Sequence, residues 1–209
     1  MLQIPGPAGT LEALLDRPPH GRAARAAAVV AHPLPTEGGT LHTQAVYQGA
    51  KALARIGVPT LRFNFRGVGR SSGTWDEGPG EAEDFRAALD YVAERFPGLP
   101  LWAAGFSFGS WIALEQGAVD DRVKVLIGIA PPVENPGYSF PRTLESEKPK
   151  FLIQGDRDEI CPLGALRRFY AQLKEPKELV VIEDANHLFE GKTREVGEAL
   201  EDLLEDFDA

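Results

Sequence analysis

Cysteine is almost missing from these 209 residues: Cys161 stands alone, so no disulfide can form within the chain. A reducing compartment is therefore expected. Histidine is scarce too, with only His20, His32, His42 and His187, and so sparse a donor set predicts no metal centre. Positive charge is outweighed, 22 Lys and Arg against 31 Asp and Glu, for a net charge of −9. That balance, with no basic run, argues against nucleic acid or an anionic membrane as partner. No apolar stretch approaches the ~20 residues that would span a bilayer. The N-terminal MLQIPGPAGTLEALLD shows no basic segment followed by an apolar one, so no secretory leader is expected. These absences predict a cytoplasmic protein, and the length fits a single domain over residues 1–209.

What the chain does have is an alternation of short apolar runs with helical periodicity. Residues 2–4 and 10–15 read as an N-terminal hairpin across Pro5-Gly6 and Ala8-Gly9. Strands are expected at 26–31, 58–65, 101–104, 123–129, 151–154 and 180–182. Helices are expected at 43–56, 81–96, 110–116, 162–174 and 193–207. The acidic first turn of the second helix, Glu81 to Asp84, suits the positive end of a helix dipole. Strands apolar on both faces and alternating with helices predict a mostly parallel sheet with helices on both faces. The longest irregular stretch is 131–149, too short and too rich in Pro and Gly to make a cap domain.

The richest segment is Gly105-Phe106-Ser107-Phe108-Gly109, a G-x-S-x-G between an apolar run and a helix. The two glycines permit a tight strand-to-helix bend that projects the Ser107 hydroxyl beside a helix N-terminus. A nucleophilic serine needs a base, and the base needs a carboxylate. His187 is the one histidine downstream of Ser107. Asp156 and Asp158 lie between, just past an apolar strand, and give the chain order Ser, Asp, His. Each falls at the C-terminal end of a strand, where ligands of open α/β sheets bind.

On these motifs the chain resembles the α/β-hydrolase superfamily, in particular its small, capless, carboxylesterase-like members. His32-Pro33-Leu34-Pro35 with Gly38-Gly39 resembles the oxyanion loop of those proteins, and Phe63 to Ser71 the turn after their next strand. Gly155-Asp156-Arg157-Asp158 resembles the acid loop, whose last Asp is the triad acid. The resemblance implies an α/β-hydrolase fold without a cap domain and a triad of Ser107, His187 and Asp158. It also implies hydrolysis of a small-molecule carboxylic ester, or alternatively a thioester, of a small acyl group with no cofactor, and it leaves the oligomeric state open. The backbone N–H of Phe108, after the nucleophile, should form half of the oxyanion hole. Pro33 has no N–H, which leaves Leu34 for the other half.

Two other readings stay open: a non-catalytic hydrolase-like binding scaffold, and an acyltransferase or peptidase using the same triad. His32 is expected to shape its loop, not to transfer protons. Gly67-Val68-Gly69-Arg70-Ser71-Ser72 lacks the third glycine of a dinucleotide fingerprint and reads as a tight loop. Arg66 is expected in a structural ion pair and Cys161 as a packing residue. Trp75, Tyr138 and Phe140 either line a pocket or cover core.

Overall fold

In the computed structural model, which describes residues 1–207, the apolar runs form one eight-stranded sheet. β1 (Leu2–Gly6) and β2 (Gly9–Asp16) make the expected antiparallel hairpin, with Leu2 opposite Ala13. The sheet continues with β3 (Ala27–Ala31), β4 (Thr60–Phe63), β5 (Leu101–Phe106), β6 (Val123–Ile129), β7 (Lys150–Gly155) and β8 (Lys177–Ile182). The spatial order is β1-β2-β4-β3-β5-β6-β7-β8, and β3 to β8 all run parallel. The helices are α1 (Gln44–Arg55), α2 (Pro79–Arg95), α3 (Phe108–Val119), α4 (Pro141–Glu145), α5 (Leu163–Gln172) and α6 (Thr193–Leu204). None of them is long and apolar enough to cross a membrane.

The inner strands are mostly apolar because they face two cores. Ala27, Val29 and Ala31 of β3 point into a core shared with Phe63, Phe85, Leu89 and Ile112. Ala28 and Val30 point the other way, to Val46, Leu53, Trp102, Ile127 and Leu200. Successive strand residues alternate between faces, so a run without polar interruption is the signature of a sheet covered on both sides. Removing about 25 cal/mol per Å² of apolar surface from water on both faces is what holds the sheet together.

Two differences from the expected elements have simple causes. β8 begins at Lys177, not residue 180, because it is the last strand of the sheet and its outer positions are half-exposed. An edge strand tolerates Lys and Glu, which hides it from an apolar pattern. The irregular stretch 131–149 contains α4, whose five residues are too few to show a helical period. It forms part of one wall at the sheet's C-terminal edge and builds no cap.

A sharp steric demand lies between β5 and α3. A Cβ on Gly105 would sit 2.1 Å from the Gly109 carbonyl oxygen, and a Cβ on Gly109 would sit 2.4 Å from the His32 carbonyl oxygen. These obstacles are backbone and cannot swing aside. Gly105→Ala should therefore cost about 3 kcal/mol, lowering Tm by roughly 6–12 °C. In Gly164→Ala the new methyl would meet only a side-chain atom at 3.7 Å inside α5, so Tm should hold or rise slightly. Thermal denaturation of the two variants side by side checks this; equal melting temperatures would contradict it.

Candidate active site

Ser107 sits at the bend between β5 and α3 with φ 53° and ψ −122°. Positive φ is a strained conformation for a residue with a Cβ, and it persists only where the surroundings over-determine it. Here the Ser107 N–H donates to the Ile129 carbonyl at the end of β6 (2.8 Å). Its own carbonyl accepts from the Ser110 hydroxyl at 2.6 Å and the Ser110 N–H at 2.8 Å. The bend thereby turns the side chain out of the sheet's C-terminal edge.

His187 follows β8 and reaches back to Ser107. Its Nε2 lies 2.9 Å from Ser107 Oγ, and its Nδ1 lies 2.8 Å from Asp158 Oδ2. Asp158 Oδ1 accepts the N–H groups of Ile160 (2.9 Å) and Cys161 (2.7 Å). With Asp158 accepting on every side, Nδ1 carries the proton and Nε2 is left to accept from the Ser107 hydroxyl. All three side chains are buried, and the Phe106 ring packs against the imidazole at 5.4 Å between centroids. Such a row can pass the hydroxyl proton to the imidazole as Ser107 attacks. Asp156, the other acid the sequence offers, points into solvent. The structure brings together Ser107, His187 and Asp158 and leaves Asp156 out.

The loop after β3 faces the same point. A 3₁₀ turn, Pro35–Glu37, closes on the Leu34 carbonyl, which accepts from Glu37 and Gly39. Among the described residues neither the Leu34 nor the Phe108 amide has a hydrogen-bond partner, and both residues line the cleft at Ser107. His32 stands behind, fully buried: its Nε2 accepts the Phe65 N–H (3.1 Å) and its Nδ1–H donates to the Pro33 carbonyl (2.7 Å). With both nitrogens occupied it ties the β3 loop to the β4 loop, the shaping part expected of it. Arg66 makes the expected ion pair, with Asp84 at 2.9 Å. The Gly67 to Ser72 turn is tightly packed: Glu12 and Asn64 side-chain atoms lie within 2.6 Å of where a Gly69 Cβ would be.

The cleft has a volume of about 450 Å³. Pro33, Leu34, Pro132, Tyr138, Ile160 and Leu188 give it apolar walls, and Glu37, Glu159 and Glu190 its charge. No Lys or Arg is among its lining residues as described. Of the three aromatic residues weighed from sequence, Tyr138 lines the cleft. Trp75 packs behind it on the Phe108 ring at 5.1 Å, and Phe140 is buried against Phe169 at 5.0 Å. Among the described residues the one cluster with metal-ligand spacing is Asp158, Cys161 and His187, with donor atoms within 4.8 Å. Two of those are already bonded to each other, and burial pushes the Cys161 thiol far above its ordinary pKa, away from the thiolate a metal needs.

Fold and site together define an α/β serine hydrolase without a cap domain. Residues 23–146 match the family model described as Hydrolase_4, serine aminopeptidase S33, and the chain belongs to that family. A solved α/β serine hydrolase homologue from Coxiella burnetii is 40% identical, with a TM-score of 0.90 over 97% of this chain and 96% of that one. An α/β serine hydrolase without lid from Xanthomonas campestris is 38% identical, with a TM-score of 0.88 over 96% of this chain and 91% of its own. An uncharacterized protein of Rickettsia prowazekii (strain Madrid E) is 34% identical over 95% of this chain and 86% of that protein.

Sequence reasoning did not single out Ile160 and Leu188, which are 61% and 52% exposed. Their adjacency to the acid loop and to His187 was the available signal. Gln154, which bonds Asp158, was also passed over, although a buried amide in the apolar run Phe151-Leu152-Ile153 stands out.

His32 generates a pH prediction. Burial lowers its pKa from 6.5 to about 4, with the Pro33 hydrogen bond offsetting a smaller part. Above pH 6.5 neither folded nor unfolded chain holds that proton, so His32 adds no pH dependence. Between 6.5 and 4 only the unfolded chain binds it, and folding weakens by up to about 3 kcal/mol as pH falls. Urea unfolding at pH 7 and pH 4.5 should show this loss, and His32→Gln should show a smaller one. An identical pH dependence in the variant would contradict the assignment.

Proposed function

We propose that this protein hydrolyses carboxylic esters of short, uncharged acyl groups through an acyl-enzyme on Ser107. The observation that carries this is the continuous Asp158–His187–Ser107 row opening beside two unpartnered amides. His187 Nε2 takes the hydroxyl proton as Ser107 Oγ bonds to the ester carbonyl carbon. The oxyanion sits between the Leu34 and Phe108 N–H groups, each such donor typically worth about 3–4 kcal/mol to the transition state. His187 then gives its proton to the departing alkoxide, and the alcohol leaves. Water, deprotonated by the same Nε2, attacks the acyl carbon; the C–Oγ bond then breaks, His187 returns the proton to Ser107 Oγ, and the carboxylic acid leaves. No cofactor enters the sequence, and the single buried Cys161 suits a cytoplasmic setting.

Two features narrow the substrate. The cleft is bounded by a loop and not a cap, so a long acyl chain would lie partly in water, and each CH₂ left exposed forgoes about 0.8 kcal/mol. Its three carboxylates and lack of cations repel an anionic substrate, which weighs against coenzyme A thioesters and favours oxygen esters. The family's own description, serine aminopeptidase, gives a second reading: the same carboxylates suit a substrate with a free amino group.

Initial rates on p-nitrophenyl esters of graded length should peak near two to six carbons. Half-esters of dicarboxylic acids and acyl-coenzyme A should be poorer, by a margin that shrinks as salt is added. Ser107→Ala should abolish turnover without unfolding the protein. Asp158→Asn should cost several orders of magnitude, and Asp156→Asn little. An optimum at twelve carbons or more would contradict the open cleft. Faster cleavage of α-aminoacyl p-nitroanilides than of esters would favour the peptidase reading, and no turnover of any of these would favour the binding scaffold.

A further inference from the structure

We infer that Gln154 is a positioning residue for the reaction, holding the Asp158 carboxylate in the orientation that faces His187; this rests on the proposed Ser107–His187–Asp158 mechanism. Gln154 lies one residue before the end of β7, is completely buried and is not among the residues lining the cleft. Its Nε2 donates to Asp158 Oδ2 at 2.9 Å and to the Cys161 carbonyl at 2.5 Å. Both partners are acceptors, which settles which end of the amide is nitrogen: the reverse orientation would set oxygen against two oxygens.

Asp158 therefore accepts from four N–H groups. The Ile160 and Cys161 amides hold Oδ1, while Gln154 and His187 share Oδ2. Of the two donors on Oδ2, His187 is the one whose protonation changes during turnover. Gln154 is the donor that does not change, and it is anchored to a strand. Without it, Oδ2 has the imidazole alone, and the carboxylate can rotate about the Oδ1 contacts whenever His187 moves.

The other end of the amide supports a functional origin. Gln154 Oε1 is buried with no hydrogen-bond partner among the described residues. Folded proteins rarely leave a buried acceptor unpaired, and an apolar side chain of the same length would fill this space without one. Gln154 is also the one uncharged polar side chain in the strand Lys150–Gly155, whose next three residues after Lys150 are apolar. A polar group kept where packing alone does not ask for it points to the use made of its N–H end.

Electrostatics give the role a signature that a packing role lacks. The Gln154 N–H dipole offsets part of the Asp158 negative charge felt by His187. Removing it strengthens the hold on a protonated imidazole, so the base becomes available only at higher pH. Gln154→Met keeps length and loses the donor; Gln154→Leu loses the donor in a more compact apolar side chain. Both should lower kcat roughly ten- to hundredfold, the loss typical when the partner orienting an active group is removed. KM should stay within about twofold, because Gln154 does not line the cleft. The acidic limb of kcat/KM should move up by about half a pH unit in both Gln154→Met and Gln154→Leu.

The decisive experiment measures kcat, KM and the pH profile on p-nitrophenyl butyrate for both variants, with melting curves to confirm folding. Asp158→Asn and Asp158→Asn/Gln154→Met accompany them. The inference expects the double variant to be no slower than Asp158→Asn alone, since Gln154 acts through Asp158. If Gln154→Met fails to fold, Gln154→Leu carries the same readouts. An unshifted acidic limb with unchanged kcat in a folded variant would overturn the inference, and so would additive losses in the double variant. If Asp158→Asn itself retains full activity, the underlying mechanism falls and the inference with it.

Discussion

The bend at Ser107 is the constraint on which the rest of the site depends. A β-carbon is held at φ 53° there because the strand before it and the helix after it cannot separate. Gly105 and Gly109 let the two elements meet at backbone distance, and Gly109 lets α3 lie against the end of β3. A conformation of this kind costs of order 1–3 kcal/mol, which the two cores flanking the sheet must offset. In return the Ser107 side chain leaves the sheet edge while the Phe108 amide, at the first turn of α3, stays free of intrahelical bonds.

Everything else at the site comes from loops, and buried polar side chains hold those loops. His32 pins the β3 loop to the amide of Phe65. Asn64 receives the Leu41 N–H and donates to Glu12, which also accepts the Arg70 N–H. Arg66 ties the same turn to Asp84 of α2. On the other side, the backbone of the acid loop wraps Asp158, and the close approach of β7 to the segment after β8 brings His187 within reach: a Cβ on Gly155 would lie 2.2 Å from the Ala185 carbonyl. The loops that carry Asp158 and His187 are therefore tied down by hydrogen bonds and close backbone contact, beside a cleft that opens to solvent at Ile160 and Leu188.

Much of this was legible in the sequence, for reasons that can be named. The elbow was readable because its glycines answer to backbone clashes that other residues cannot relieve. Ser107 and His187 were readable from chain order and strand ends. The choice between Asp156 and Asp158 was not, on residues alone: it turns on which carboxylate a tight turn directs inward, and only the amides of Ile160 and Cys161 reveal that. The cleft walls were half visible. Tyr138 lies on them, whereas Trp75 and Phe140 are spent on the core, and an aromatic side chain gives no local sign of which way it faces. Ile160 and Leu188 went unmarked because single exposed apolar residues have no period. Gln154 acts through a contact four residues away around a turn, a spacing no helix or strand pattern would pick out.

The most direct measurement of the central claim is covalent. Native protein treated with a small fluorophosphonate should gain one adduct by intact mass, and peptide mapping should place it on Ser107. Labelling should collapse in His187→Ala, which removes the base while leaving the hydroxyl, and should vanish when the protein is unfolded in urea before exposure. A folded protein that gains no adduct, or one modified equally well after unfolding, would contradict the account: the hydroxyl would then be a polar group at a tight turn and not an activated nucleophile.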